Sequence, residues 1–285
     1  MPHPHVTGLF VGRSTLDLVY ACERFPEPDG KVDATRSYVA AGGPALNAAI
    51  AFAGLGGRAR LCTALGAGAL ADRARAELGA YGVEAVDAAE GRADALPVSS
   101  VILTGAARAI VTPPPPPPGP GLAPGRLEAL FARRPDIVLS DGHLPELALP
   151  VLRRARAEGV TTVLDGGSWK PWTGELLPWI DVAVVSGRFR PPGAADVLEA
   201  LGQDIGQVAA TDGPGPIRWR AGAARGEVTP PAVEAVDTLG AGDIFHGAFC
   251  HALAGGAGFA ASLAAAAAVA SRSCAAWGPR AWIGR

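Results

Sequence analysis

Six short runs rich in β-branched residues, at 6–12, 60–65, 136–141, 160–165, 181–186 and 207–212, are separated by segments rich in Ala, Leu and Arg. That alternation constrains the fold more than any other feature of the chain. Runs of strand character followed by helical patterns read as repeated strand–helix units. Parallel strands need a crossover between them, usually a helix. Helical patterns at 44–54, 69–80, 124–133, 145–158 and 194–201 supply the crossovers. The expected architecture is α/β, a mainly parallel sheet with helices on both faces. With 285 residues, 49% of them apolar, the chain can bury such a core.

Some stretches depart from the pattern. Residues 31–41 and 97–111 read as extended with no helix attached, and predict a small accessory sheet. The run at 113–121 is almost all Pro and reads as a stiff polyproline connector. From 244 to 271 there is no Asp, Glu, Lys or Arg, a length that suits a membrane span. His246, His251 and the Gly-Gly-Ala-Gly break at 255–258 favour two tightly packed helices instead. A net charge of -2 offers no basic footprint for nucleic acid or a membrane surface. Cys22, Cys62, Cys250 and Cys274 form no C-x-x-C pair, so free thiols in a reducing cytosol are expected. The first residues show no signal-peptide pattern.

In open parallel sheets, ligands bind beyond the carboxyl ends of the strands. Polar residues fall at several of those ends: Asp17 after the first strand, Asp141 and His143, Asp165, Ser186, and Thr211 with Asp212. Any one of them could simply cap the next helix. Together at one rim they outline a cleft.

The segment DTLGAGDIFHGAF, 237–249, carries the chemistry. As a dinucleotide fingerprint it fails, because Phe245 stands where a third Gly is needed and no acid follows Asp243. As a P-loop it fails too, because the lysines are Lys31 and Lys170 alone. A plain helix start with Asp243 as cap stays open. A third reading explains the acid. The 239–242 backbone offers N–H groups at a helix start, where an anion is stabilised. Asp243 beside them then acts as a base toward an alcohol that attacks phosphorus.

This segment closely resembles the C-terminal signature of the ribokinase-like carbohydrate kinases, the phosphofructokinase-B type. A second segment, GGPALNAAIAFAGLGG at 42–57, resembles their N-terminal signature. The segments ERFPEPDGKV, SDGHLPE and DVAVVSGRF also have counterparts there. The resemblance covers nearly the whole chain and points to ketohexokinase-like members as nearest. It implies one Rossmann-like domain over 1–285, with a small β lid from about 13–41 and 95–112. It also implies that Asp243 is the catalytic base and that Gly240, Ala241 and Gly242 form the anion hole. Asp17, Asp29, Gly42, Gly43 and Asn47 would bind the sugar. Thr211, Gly213, Ser186 and Gly278 would bind the nucleotide, and Asp237 a monovalent cation. The residues themselves agree for the second segment. Paired glycines admit a ligand to the backbone, Pro44 suits a first helical turn, and an Asn amide can both donate to and accept from a sugar hydroxyl.

Departures qualify the match. Where many members carry Asn-x-x-Glu to support magnesium, this chain has Ser186, Gly187, Arg188 and Phe189. Pro44 replaces a polar residue of the ketohexokinase-like members. The expected activity is transfer of the γ-phosphoryl group of ATP, with Mg²⁺ entering on the nucleotide and K⁺ at Asp237. The expected acceptor is a small sugar, a ketohexose before a pentose or nucleoside. Alternatives are a nucleoside kinase of the same family and a non-catalytic sugar- or nucleoside-binding relative. Expected partners are the sugar, ATP and a second copy through the lid, with no nucleic acid or membrane.

Overall fold

The structure is a computed structural model that describes residues 6–105, 107–113, 121–123 and 125–284. The elements run in chain order β1 (Thr7–Val11), β2 (Thr15–Ala21), β3 (Arg36–Gly42), α1 (Pro44–Gly54), β4 (Arg58–Thr63), α2 (Ala69–Ala80), β5 (Glu84–Asp87), β6 (Val98–Thr104) and β7 (Ala107–Val111). There follow α3 (Arg126–Phe131), β8 (Ile137–Ser140), α4 (Pro145–Ala157), β9 (Thr161–Gly166), α5 (Thr173–Leu176), β10 (Val182–Ser186), α6 (Val197–Leu201) and β11 (Gln207–Thr211). The chain closes with β12 (Ile217–Ala221), β13 (Ala224–Val228), α7 (Ala241–Ala254) and α8 (Phe259–Cys274).

The first sheet has nine strands in the order β13-β12-β11-β10-β9-β8-β1-β4-β5. Every pairing from β11 through β5 is parallel, and β12 and β13 are antiparallel at one edge. Side chains alternate between its faces, as the pleat dictates. Phe10, Leu61, Leu139, Val163 and Val184 join one core with residues of α1, α2, α7 and α8. Leu9, Val138, Leu164, Val185 and Val208 join the other with residues of α3, α4 and α6. The mainly parallel α/β architecture expected from the alternation is therefore present.

A second sheet, in the order β3-β2-β6-β7, is built from the two extended segments and from β2. No strand was read at 15–21 itself, although the stretch from about 13 to 41 that the resemblance assigns to the lid contains it. Asp17, expected at the carboxyl end of the first strand, lies inside β2 and pairs opposite Ala40 of β3. The strand in the first extended segment starts at Arg36, not at residue 31. The β12–β13 hairpin was also missed. Arg218, Arg220, Arg225 and Glu227 break its apolar signal, as an edge hairpin with one solvated face allows. β5 is only four residues long and escaped notice for that reason. α6 begins later than expected because Asp196 caps it, accepting from the Leu198 and Glu199 N–H groups at 2.8 and 3.2 Å. The polyproline connector falls almost wholly outside the described residues.

The charge-free stretch forms α7 and the first part of α8, packed together with Phe249 and Phe259 edge to face at 5.9 Å. Among the described residues no helix is long and apolar enough to cross a membrane. α7 also lies against α1, and their contact is close because Gly247 lacks a side chain. A Cβ there would meet the Ala48 carbonyl oxygen at 2.2 Å and the Ala51 Cβ at 2.7 Å. Residues 45–52 of α1 and 244–250 of α7 are all buried, and four alanines among the former let the helices approach. Gly247→Ala is predicted to destabilise the fold by ~1–3 kcal/mol through overpacking. That outweighs the gain of about 1 kcal/mol in helix propensity. A urea titration should show a lower midpoint, and an unchanged or raised one would mean that the crossing accommodates a methyl group.

Candidate active site

The α1–α7 contact brings two predicted residues together. Asn47, in the first turns of α1 and 6% exposed, donates from Nδ2 to Oδ2 of Asp243 at 2.7 Å. Its own Oδ1 is buried with no hydrogen-bond partner among the described residues. Asp243 sits in the first turn of α7 and keeps part of its surface open. Burial pushes its carboxyl above the usual range, and Asn47 and His246 oppose that rise.

Gly240 caps α7 in the left-handed conformation, φ 75°, so a side chain there would be strained. The Ala241 N–H donates back to the Thr238 carbonyl at 3.3 Å. Among the described residues no acceptor takes the N–H groups of Gly242 and Asp243. Nothing lies within 4 Å of the space that a Cβ on Gly242 would fill. The mouth of α7 thus offers free N–H donors beside a carboxylate held by an amide.

Asp17 reaches toward the same region from the second sheet. Its Oδ1 accepts from the Thr15 hydroxyl at 2.7 Å. Its Oδ2 occupies the space left by Gly42, where a Cβ would approach it to 2.0 Å. Burial raises its carboxyl, and Thr15, Ser99, Arg280 and Arg13 oppose the rise. Gly43 caps α1 and its carbonyl accepts the Asn47 N–H at 2.9 Å. Asp29 is not brought in. It lies exposed in the connector between β2 and β3, with φ 58°.

Ser186 and Thr211 end the neighbouring strands β10 and β11 and pair in register. A cleft of about 410 Å³ opens beyond them, lined by residues including Gly187, Arg190, Thr211, Asp212, Arg218 and Glu227. Gly213 turns the chain just past Thr211, with φ 55°. Gly278 is placed elsewhere. Its N–H donates to Oδ2 of the buried Asp237 at 3.1 Å. The same oxygen accepts from the Tyr38 hydroxyl at 3.2 Å, and Oδ1 takes the Leu239 N–H at 2.9 Å. Asp237 and Gly278 therefore brace the segment that leads into the 239–242 loop.

His246 belongs to the site and was not singled out from the sequence, where it counted only as an interruption of an apolar run. Nδ1 lies 2.7 Å from the Gly242 carbonyl and Nε2 lies 3.0 Å from that of Val184. Nδ1 is also 3.4 Å from Oδ2 of Asp165. A neutral ring can donate to only one of these two carbonyls. Its position three residues after Asp243 was the available signal. Arg280 had none in the sequence. It bonds the Ala41 carbonyl at 2.8 Å and pairs with Glu77 at 3.3 Å, close enough to Asp17 and Asp243 to act on both.

Asp165 is pushed up to about 7 by burial, a rise that His246 partly opposes. Its folded value exceeds the unfolded one near 3.9, so the native state holds this proton more tightly. The associated stability is full below about pH 4 and is lost as pH rises toward about 7. Asp165→Asn is predicted to flatten that part of the stability curve. Unfolding free energies at about pH 5 and about pH 8 should lie closer together in the variant than in the native protein. An unchanged gap would contradict the buried-acid assignment.

Comparison with known proteins follows the same residues. The pfkB family of carbohydrate kinases matches at residues 9–94 and 185–282, which hold both signature segments. An ATP-dependent ribose-1-phosphate kinase from Halopiger xanaduensis is 27% identical over 248 residues, covering 86% of this chain and 83% of that protein. A ribokinase-like protein from Agrobacterium tumefaciens has a solved structure 31% identical to this chain, with a TM-score of 0.84, covering 98% of this chain and 94% of that one. The ribokinase of Arabidopsis thaliana, solved with ribose and ATP, shares the fold at 24% identity and a TM-score of 0.74, covering 96% and 94%.

Proposed function

The chain belongs to the pfkB family of carbohydrate kinases, and on that footing we propose that it transfers the γ-phosphoryl group of ATP to a hydroxyl of a ribose-type sugar. The observation that carries this reading is Asp243, held by Asn47 beside the free N–H groups of α7. The ATP-dependent relative supports the donor, and its ribose-1-phosphate acceptor supports the sugar class. The ketohexose preference expected from the sequence finds no support in the relatives described above.

The chemistry divides between the two ends of the cleft. With Oδ2 of Asp243 engaged by Asn47, Oδ1 is the oxygen free to take the acceptor's proton. As that proton moves, the acceptor oxygen forms its bond to the γ-phosphorus. The bond from that phosphorus to the β–γ bridging oxygen breaks, and its electron pair leaves on ADP. Charge that builds on the transferred group meets the Gly242 and Asp243 N–H donors. A base whose pKa is raised sits nearer the working pH, where general-base catalysis is most effective. Asp17 accepts from sugar hydroxyls, and the unpartnered Oδ1 of Asn47 takes another. The second sheet, which carries Asp17, serves as the lid.

The nucleotide occupies the cleft beyond β10 and β11, with Thr211, Gly213 and Ser186 at its edge. Mg²⁺ carried on ATP would supply neutralisation of phosphate charge. Among the described residues no cluster of His, Cys, Asp or Glu is arranged to hold it, which suits an ion that would enter on ATP. Asp237 already accepts three hydrogen bonds, which leave its carboxylate little capacity for a monovalent cation.

Asp243→Asn should keep ATP binding and lose about 10²- to 10⁴-fold in kcat. Release of ADP from ATP, measured over aldoses, ketoses and nucleosides, tests both the variant and the acceptor class. Near-native turnover in the variant would remove Asp243 from the base role. A nucleoside preferred over every sugar would overturn the acceptor reading.

A further inference from the structure

The second sheet and the segment that leads into the 239–242 loop meet at Tyr38. Side chains two apart on a strand share a face, so β3 places Arg36, Tyr38 and Ala40 together. Tyr38 pairs opposite Val19 of β2, and Ala40 opposite Asp17. Residues paired directly across two strands lie on one face, so Asp17 and Tyr38 stand on the same side of the sheet.

The Tyr38 hydroxyl donates to Oδ2 of Asp237 at 3.2 Å, across 199 residues of sequence. Asp237 is 7% exposed. Its Oδ2 also takes the Gly278 N–H at 3.1 Å, and its Oδ1 takes the Leu239 N–H at 2.9 Å. Burial and the charge of Asp237 push the Tyr38 hydroxyl above its ordinary range, so it stays a donor. The Tyr38 ring is held as well. It meets Trp277 edge to face with centroids 5.2 Å apart, and the Arg36 guanidinium lies over the same indole at 4.5 Å. Arg280 donates to the Ala41 carbonyl at 2.8 Å, and its partner Glu77 accepts the Ala41 N–H at 2.8 Å. Residues 277–280 therefore grip β3 at both Tyr38 and Ala41. Packing against Trp277 asks only for a ring. The hydroxyl is accounted for by Asp237 alone among the described residues, and a bond to a charged acceptor is among the stronger kinds.

We propose that Tyr38 is a positioning residue: through Asp237 it fixes the 239–242 turn against the sheet that carries Asp17, so that the N–H donors of α7 and the acceptor pocket hold one relative geometry. The statement rests on the kinase reading given above. Tyr38 bonds the carboxylate that holds Leu239, and Gly240 next to Leu239 opens α7 in the left-handed conformation. Donors that meet charge developing in the transition state act fully only when already in place. A small displacement of the turn therefore lowers turnover while ground-state binding of either substrate survives.

Tyr38→Phe removes the hydroxyl and keeps the ring on Trp277. ADP release with ATP and the fastest of the aldoses and ketoses should show kcat lowered about tenfold, with KM for ATP and for the sugar in place. Asp237→Asn should also lower kcat, and Tyr38→Phe should add nothing in that background, because both act through one bond. Thermal melting checks that each variant is folded. An unchanged kcat in Tyr38→Phe overturns the proposal. So does a rise in either KM with kcat in place, or losses that multiply in the double variant. Absence of ADP release with every acceptor would strike the kinase reading. Amide hydrogen exchange in native protein and Tyr38→Phe then decides the brace by itself. Faster exchange over 237–244 with α4 unmoved supports it, and equal exchange, or a rise that extends to α4, refutes it.

Discussion

The close crossing of α1 and α7 is the constraint on which the rest of the site depends. These helices carry Asn47 and Asp243, and the hydrogen bond between them spans 196 residues of sequence. Only a helix pair stripped of side chains at the crossing allows the amide to reach the carboxylate. Gly247 provides that on α7, against Ala48 and Ala51 on α1. Interiors packed to crystal-like density pass small displacements on to their neighbours, so the geometry of the pair is tied to the core itself. The same crossing sets the free N–H groups of α7 beside Asp243.

Around this pair the protein gathers more carboxylates than a buried site ordinarily tolerates. Asp17, Asp165 and Asp243 are all raised by burial, and each is moderated by a different device: hydroxyls for Asp17, an imidazole for Asp165 and an amide for Asp243. Asp141 instead takes three backbone N–H groups. Because these devices differ, the acids need not titrate together, and one can serve as base while the others remain structural. Arg280 places positive charge near Asp17 and Asp243.

Much of this was legible in the sequence because it rests on local pattern. The six buried strands of the first sheet announce themselves as apolar runs, and the two signature segments place Asn47 and Asp243 at helix starts. What escaped has a common cause. β2 and the β12–β13 hairpin carry charged or polar residues on a solvated or site-facing side, and Asp17 reads as a strand end until β2 is seen to continue through it. Asp29 and Gly278 come from segments that resemble the family's, yet Asp29 lies exposed in the β2–β3 connector and Gly278 donates to Asp237. His246 and Arg280 act through contacts between distant elements. Apart from the three-residue spacing of His246 from Asp243, nothing in the sequence marks them; topology assembles them.

The central claim is that Asn47 holds Asp243 as a partly desolvated base, and the carboxyl titration of Asp243 in native protein and in Asn47→Ala tests it most directly. Carbon-13 NMR of aspartate carboxyls, assigned by loss of the signal in Asp243→Asn, follows that group alone. Asn47 donates to the charged form, so removing it takes away stabilisation of the carboxylate. The account predicts a native value above the ordinary aspartate range and a further rise in Asn47→Ala, matched by the acid limb of the kcat profile. An ordinary native value, or one that Asn47→Ala leaves in place or lowers, would contradict it.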